Sequence, residues 1–335
     1  MNPELKAPFP YFGGKSKIAE QVWTLLGDVK NYVEPFAGSA AVLLARPRFK
    51  GPETLNDFSC FVVNTWRAIR DNPNDLARML VGPVCEVNTE AEHAALMRSG
   101  EGLRDRLGDP GYSDLALAAY WIRGANEWIG SGWAGGEGPW SWSRESGWRK
   151  RDRKLPHLGD AGTGINRKLP HLGNAGKGIN RQLPHLGDAG KGQYEQRVEW
   201  VSAWLCALRD RLCEVRIACG DFERVLGDSS TTKHGLTGVF LDPPYDGTEY
   251  VYGTKVPVSK RVFDWCVAET ANPLLRIVLA GRGTEHDALL QHGWSKSVWT
   301  ANRGYSKDTD KGRTEEALWY SPSCVAANGA DTDLL

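Results

Sequence analysis

The stretch with the clearest chemical potential is an acid, two prolines and an aromatic residue, Asp242-Pro243-Pro244-Tyr245. The Asp242 carboxylate accepts one N–H of a planar amino group, and the carbonyl of Pro243, held rigid by the next proline, accepts the second. Two acceptors on one NH2 draw its nitrogen toward tetrahedral geometry and release its lone pair for attack. Tyr245 offers a flat face on which a base can stack. These residues therefore predict chemistry on the exocyclic amine of a nucleobase.

An apolar stretch over residues 239–241 precedes this motif and positions it. Its β-branched and aromatic residues predict a buried strand, which the prolines end because proline donates no ladder hydrogen bond. The motif then lies on the loop at the carboxyl end of the strand, where open α/β sheets bind ligands. A base reaches such a loop only after leaving the duplex, so base flipping is implied. The alternative is a strand-ending turn in which Asp242 caps a helix.

A second strand–turn–helix signal runs from residue 31 to residue 44. A short strand ends at Glu34, a turn of small residues follows, and an apolar helix begins after the turn. Such units open the nucleotide-binding halves of doubly wound sheets, where glycine allows close backbone approach. The full Gly-x-Gly-x-x-Gly spacing is absent, which favours a nucleoside over a pyrophosphate ligand.

Acids end two further predicted strands. Asp57, about twenty residues after the turn, is a candidate to accept ribose hydroxyls, and its alternative role is the N-cap of a helix over residues 61–69. Residues 214–222 predict a strand that ends in an acid–aromatic pair, Asp221 and Phe222. This pair suits hydrogen bonding to an adenine amine and stacking on its ring. The alternative is a helix N-cap with Phe222 buried.

Near the N-terminus, residues 8–15 read Pro-Phe-Pro-Tyr-Phe-Gly-Gly-Lys. The two glycines let the backbone pass close to a ligand, and Lys15 brings a positive charge for a carboxylate or a phosphate. Ser16 is expected to cap a helix that reaches about residue 26. The alternative is a plain loop with a surface lysine.

The middle of the chain changes composition. Between Trp121 and Trp148, six tryptophans are separated largely by glycine, serine and charged residues, a pattern that does not predict a helix. Exposed aromatics there suit stacking on bases or insertion into a duplex. Packing into a small satellite core is the alternative.

A 14-residue repeat follows, with copies starting at residues 154, 168 and 182, the last one degenerating after residue 192. Residues 149–191 hold ten Lys or Arg against three Asp or Glu, which predicts a phosphate-contacting surface. A solvated insertion is the alternative. One histidine recurs per copy, and the repeat explains this regularity without a metal. The candidate DNA-contacting residues are Trp133, Trp140, Arg149, Lys150, Arg151, Lys168 and Arg181.

The composition is that of a soluble globular protein. The 335 residues are 41% hydrophobic and 24% charged, and a formal net charge of zero does not exclude a nucleic-acid partner, because local patches matter more than the sum. The seven cysteines show neither Cys-x-x-Cys pairs nor zinc spacing, so we expect reduced thiols, a cytoplasmic location and no metal. No signal peptide is recognised, and no stretch approaches the roughly 20 apolar residues of a spanning helix.

Taken in order, the motifs resemble those of the Dam-like family of DNA adenine methyltransferases, in the class whose cofactor site comes first. The order is aromatic-x-Gly-Gly-Lys, Glu-Pro-Phe-x-Gly, Asn-Asp, a long insertion, Gly-Asp-Phe, and Asp-Pro-Pro-Tyr. The resemblance covers about residues 8–70 and 215–320. Ala40 stands where the family often has a second glycine, and its methyl group predicts tighter packing rather than lost binding.

The resemblance implies S-adenosyl-L-methionine as cofactor, double-stranded DNA as substrate and a cognate restriction endonuclease as a further partner. It assigns cofactor binding to Tyr11 and Lys15 at the methionine end, to Glu34, Phe36 and Gly38 along it, to Asp57 at the ribose, and to Asp221 and Phe222 at the adenine. Asp242 would lie between the cofactor and the target amine. Pro243 and Tyr245 would complete the target pocket.

We therefore expect a Rossmann-like α/β methyltransferase fold with a mixed, mostly parallel sheet and a large inserted target-recognition region. Residues 1–70 and 200–322 would form a discontinuous catalytic domain, residues 71–199 the insertion with its repeats at 154–195, and residues 323–335 a loose tail. The expected reaction is methyl transfer to the 6-amino group of a flipped adenine. The alternatives are a cytosine 4-amino group or an RNA base, and a catalytically silent DNA-binding module on the same fold.

Overall fold

The computed structural model describes residues 5–11, 15–47, 51–127, 140–143, 147–150, 193–244, 258–302 and 313–325. The chain divides into two compact units, each assembled from two separate stretches. The sheet unit comprises Lys15–Phe58 and Glu214–Leu335, and the helical unit comprises Met1–Gly14 and Ser59–Cys213.

The described residues of both units form strands and α-helices, which are numbered here in chain order. The strands are β1 Asn31–Glu34, β2 Glu53–Asp57, β3 Trp140–Ser143, β4 Gly147–Lys150, β5 Val215–Cys219, β6 Thr237–Leu241, β7 Leu275–Arg282, β8 Ser295–Asn302 and β9 Arg313–Tyr320. The α-helices are α1 Ala19–Leu26, α2 Ala41–Leu44, α3 Cys60–Asp71, α4 Pro73–Leu80, α5 Glu86–Arg106, α6 Leu115–Glu127, α7 Gln193–Leu212 and α8 Val258–Glu269.

Seven strands form one sheet in the order β5-β2-β1-β6-β7-β9-β8. The first five strands in this order run parallel, whereas β9 is antiparallel to both β7 and β8. A mixed, mostly parallel sheet with helices is the α/β fold class expected from the sequence, and it is confirmed.

The strand order reverses between β1 and β6. From β1 the chain continues to β2 on one side, and it comes back on the other side as β6, in register with Val33 opposite Val239. Ligands of open α/β sheets bind in the crevice outside such a reversal. Because β5, β2, β1 and β6 are parallel, their carboxyl ends meet at this edge, and every loop that follows them starts there.

The apolar character of the central strands explains their burial. Val239, Phe240 and Leu241 are at most 1% exposed, as expected for parallel strands covered on both faces. Val262 and Cys266 of α8 pack into the same core cluster as Val239 and Leu241. Burying each large apolar side chain contributes about 1.5–3 kcal/mol, so this core fixes the strand ends from which the site is built.

The helical unit contains α3 to α7 and the hairpin of β3 and β4. Asp114 caps α6 by accepting a hydrogen bond from the amide of Leu117 at 3.0 Å, and Pro73 occupies the first turn of α4, where its missing N–H costs nothing. Trp121 of α6 is 2% exposed and stacks on Phe61 at 5.6 Å. For this tryptophan the satellite core, rather than base stacking, is observed.

The predicted division into a catalytic domain and an inserted recognition region stays a prediction. α3 belongs to the helical unit by its contacts, and the unit boundary lies at residues 58 and 59. Within the part of the chain that the structure describes, no helix combines the length and the apolar character needed to cross a membrane.

Candidate active site

Acidic residues occupy the carboxyl ends of all four parallel strands that meet beside the strand reversal. Glu34 and Asp57 are the last residues of β1 and β2, and Asp242 directly follows β6. Asp221 comes two residues after β5. The fold thereby brings together residues that are up to about two hundred positions apart in the sequence.

Asp242 is paired with a buried lysine. Its Oδ1 lies 3.0 Å from Nζ of Lys15, and the same ammonium is 4.0 Å from Oε2 of Glu316 on β9. Lys15 is 5% exposed in a short 310 helix, so the surface-lysine alternative is wrong. Burial raises the pKa of Asp242, and the ammonium of Lys15 acts against that rise. Lys15 thus acts in favour of the ionised form, in which the carboxylate accepts N–H groups.

Glu34 faces the turn that follows its own strand. Its Oε2 accepts hydrogen bonds from the Tyr32 hydroxyl at 3.0 Å and from the Leu43 amide of α2 at 3.2 Å. The side chain is buried, and burial raises its pKa to about 8 despite these two donors. Glu34 therefore ties β1 to α2, and its assignment to the cofactor stays a prediction.

The turn after β1 is held by the end of β2. Asp57 Oδ2 accepts the Gly38 amide at 2.9 Å, and Asn56 Nδ2 donates to the carbonyls of Pro35 at 2.9 Å and Gly220 at 3.0 Å. Asn56 thus joins the turns that follow β1 and β5. Ser59, not Asp57, occupies the N-cap position of α3. The amide accepted by Asp57 fixes the small-residue turn, and a ribose role for this acid stays a prediction.

Two residues of this turn adopt left-handed backbone conformations. Gly38 has φ 44°, and Ala40 has φ 51° with a fully buried side chain. Glycine reaches this region without strain, whereas alanine does not. The departure at Ala40 therefore adds backbone strain as well as the methyl group expected from the sequence.

A small cleft, partly open to solvent, lies at the ends of β1, β2 and β5. It is lined by Pro35, Phe36, Phe58, Gly220, Asp221, Phe222 and Val258. The rings of Phe36 and Phe222 stack at 5.3 Å, with 29° between their planes. Asp221 caps the 310 helix Phe222–Val225 by accepting the Glu223 amide at 3.1 Å. The capping alternative, with Phe222 buried, is thus observed, and the same pair also lines the cleft.

Arg261 of α8 reaches this acid and was not identified from the sequence. Its Nη1 and Nη2 lie 2.9 Å from Oδ2 and Oδ1 of Asp221, and Nη2 lies 2.7 Å from Oε1 of Glu223. The guanidinium carbon is 4.9 Å from the centre of the Phe222 ring. Arg261 holds the pKa of Asp221 below its usual range. Forty residues separate the partners, so no local pattern indicates this contact.

The residues that line the cleft have the chemistry expected of a site for the adenosine part of S-adenosyl-L-methionine. Three aromatic rings border the cleft, and a carboxylate stands beside them to accept an exocyclic N–H. Gly220 has φ 146°, and its missing side chain lets a ligand come close to the backbone. Phe36, Asp221 and Phe222 are the residues that would hold the purine.

Comparison with known families gives one match, in the N-terminal quarter of the chain. Residues 11–82 match the family of D12 class N6 adenine-specific DNA methyltransferases. This stretch holds β1, β2 and the turn between Glu34 and Ala40, and it spans about a fifth of the chain. The match confirms the resemblance inferred from the motifs and the enzyme class, adenine-specific DNA methyltransferase. No curated protein matches the chain.

The remaining predicted residues fall into three groups. Tyr11 lies in the helical unit, where its ring meets Phe9 edge-on at 6.4 Å. Trp140 and Lys150 pair across the hairpin of β3 and β4, as Arg149 pairs with Ser141. Outside the described residues lie Tyr245, Trp133, Arg151, Lys168 and Arg181. Their functional roles all stay predictions.

Metal ligation finds no support in the described residues. Within them, no group of three or more His, Cys, Asp or Glu side chains is arranged to hold a metal ion.

Proposed function

We propose that this protein transfers the methyl group of S-adenosyl-L-methionine to the 6-amino group of an adenine flipped out of double-stranded DNA. The family match supplies the class of reaction, DNA adenine methylation. The observation that carries the finer proposal is the placement of Asp242 and Pro243 beside the strand reversal, with Lys15 at 3.0 Å.

Asp242 and Pro243 have the chemistry that a target amine requires. The carboxylate accepts one N–H and the proline carbonyl the other, which orients the nitrogen lone pair away from the ring plane. The cofactor, when bound, supplies a methyl group already activated as a sulfonium. The N–C bond would form as the S–CH3 bond breaks and the neutral thioether leaves, and the Asp242 carboxylate would stabilise the positive charge on the nitrogen until one N–H proton is lost to solvent. Lys15 lowers the pKa of this carboxyl group against the effect of burial and so favours its ionised form.

The other end of the site would hold the cofactor. Phe36, Asp221 and Phe222 border the cleft for the adenine, and Asp57 is proposed for the ribose. The ammonium of Lys15 has three N–H donors, so it can serve Asp242 and the methionine carboxylate together. Glu34, Gly38 and Tyr11 are proposed for the same end of the cofactor.

DNA recognition is proposed for residues 71–199. The hairpin of β3 and β4 carries Trp140, Arg149 and Lys150, residue types that stack on bases and contact phosphates. A cognate restriction endonuclease and a cytoplasmic location stay predictions.

The proposal is tested by sequencing DNA from a methylation-free bacterial host that expresses the chain. We expect 6-methyladenine in one fixed sequence context and none in cells with an empty vector. Methylation confined to the 4-amino group of cytosine, or to RNA, would replace the proposed substrate, and unmodified nucleic acid would contradict the reaction.

A further inference from the structure

Asp221 is held by several hydrogen bonds, and it lies in the cleft proposed for the cofactor's adenine. Both of its carboxylate oxygens are 2.9 Å from the guanidinium of Arg261, and Oδ1 also accepts the Glu223 amide at 3.1 Å. Three donors from two elements therefore set the plane of this carboxylate. A role limited to capping a four-residue 310 helix needs only the amide contact.

The geometry of the contact between Arg261 and Asp221 matters as much as the number of hydrogen bonds. A guanidinium presents two parallel N–H groups in a planar fork that matches a carboxylate, whereas an ammonium is a point charge. The fork keeps Asp221 charged, and a charged carboxylate only accepts hydrogen bonds. Oδ1 already accepts two N–H groups, whereas Oδ2 accepts one, so the second lone-pair direction of Oδ2 can accept an N–H from a ligand.

Arg261 also contacts the aromatic wall of the cleft. Its guanidinium lies 4.9 Å from the Phe222 ring centre, within the range of a cation–π interaction, and that ring stacks on Phe36. Arg261 therefore touches both the acid and the wall against which a purine would lie. Val258, three residues earlier on α8, lines the cleft as well.

We propose that Arg261 is a positioning residue of the adenine cleft, which fixes Asp221 as an obligate acceptor and so makes the cleft select a purine with a 6-amino group over one with a 6-oxo group. This inference rests on the proposed cofactor. Adenine presents an N–H donor to the carboxylate, whereas hypoxanthine presents a carbonyl oxygen that the carboxylate repels. Polar sites that lose their ligand hydrogen bond discriminate strongly between such analogues.

The test measures binding by the full-length chain with titration calorimetry, using S-adenosylhomocysteine and S-inosylhomocysteine as probes. The variants are Arg261→Met, which removes the fork, and Arg261→Lys, which keeps the charge. Lys260→Met is the matched control, because Lys260 is exposed and paired with Asp264 of the same helix at 2.8 Å. Melting curves of all variants show whether the fold is retained.

We expect the wild type and Lys260→Met to prefer the adenosyl compound by at least about tenfold. Arg261→Met should reduce the preference to about threefold or less, and Arg261→Lys should lie between, because it restores charge without the fork. An unchanged preference in Arg261→Lys and Arg261→Met, or an equal loss of affinity for both probes, would overturn the inference. A wild type that binds neither probe would instead refute the proposed cofactor, and the inference with it.

Discussion

Asp242 lies among more acids than cations. Its close cation is Lys15, at 3.0 Å. The charges of Glu316 and Glu285 raise the pKa of Asp242, and the charge of Asp242 in turn raises the pKa of Glu34. Burial and the nearby acids raise the pKa of Asp242, and the Lys15 ammonium lowers it. Lys15 is for this reason part of the chemistry of Asp242 as well as a cofactor candidate.

Replacing Lys15 with methionine should shift the acidic limb of the pH profile of the methyl-transfer rate to higher pH. The ammonium lowers the pKa of Asp242, so its loss raises that pKa, and transfer is then lost at a higher pH as the solution is acidified. Single-turnover rates at saturating cofactor between pH 5 and pH 8 measure this. Lys17→Met, at an exposed position of the same 310 helix, is the control. Superimposable profiles for the two variants would disprove the role of Lys15.

Glu34 gives a stability prediction with a defined sign. Burial raises its pKa to about 8, so the folded state holds a proton that the unfolded state has released. Unfolding free energy should therefore fall as pH rises from about 5 to about 8, by at most about 1.4 kcal/mol per pH unit from this group. Glu34→Gln should remove that slope in denaturant titrations, whereas Glu20→Gln on the exposed face of α1 should keep it. If unfolding free energy fell equally steeply with pH in Glu34→Gln and wild type, Glu34 would already be ionised in the folded state.

At the scale of elements, the turn between β1 and α2 sets the site geometry through backbone strain. Ala40 has φ 51° and ψ 30°, and a left-handed residue other than glycine costs about 1–2 kcal/mol. Replacement by glycine removes this strain but loses a buried methyl group worth about 0.8 kcal/mol and adds about 0.5–1 kcal/mol of backbone entropy. These effects nearly cancel.

Ala40→Gly should consequently leave the unfolding free energy within about 1 kcal/mol of wild type. Ala40→Val should lower it by about 2 kcal/mol or more, since a β-branched side chain is poorly tolerated at positive φ and the site is fully buried. Denaturant titration of both variants measures the two unfolding free energies and so checks both predictions. A valine variant as stable as wild type would mean that the turn relaxes readily.

The sequence predicted those parts of the site that depend on neighbouring residues. β1, β6 and the loops after them follow from short apolar runs that end in an acid, and such runs are local signals. Arg261 and Glu316 could not be predicted, because α8 packing brings one to Asp221 and the antiparallel pairing of β7 with β9 places the other near Lys15. For Trp121 and Asp57 the sequence left two readings open, and tertiary contacts decided what each side chain touches.

At the scale of the whole molecule, the proposed division of labour assigns transfer to the sheet unit and DNA contact to the insertion. Replacing residues 154–192, which hold six Lys or Arg, with an uncharged linker of equal length should weaken DNA binding more than cofactor binding. Fluorescence anisotropy with duplex DNA at several salt concentrations should show a shallower salt dependence, while calorimetry shows cofactor affinity within about threefold of wild type. Equal losses in both assays would count against the proposed role of the repeats.

The central claim is that Asp242 accepts the amine of the target adenine. Asp242→Asn keeps the shape of the side chain but removes its charge, and Asp264→Asn does the same at an exposed position of α8. With isotope-labelled cofactor and duplex DNA, mass spectrometry of the nucleosides reports rate and product together. We expect labelled 6-methyl-2′-deoxyadenosine from wild type and Asp264→Asn, and a loss of about a hundredfold or more in Asp242→Asn while cofactor affinity stays within about threefold. Transfer by Asp242→Asn at the wild-type rate would contradict it.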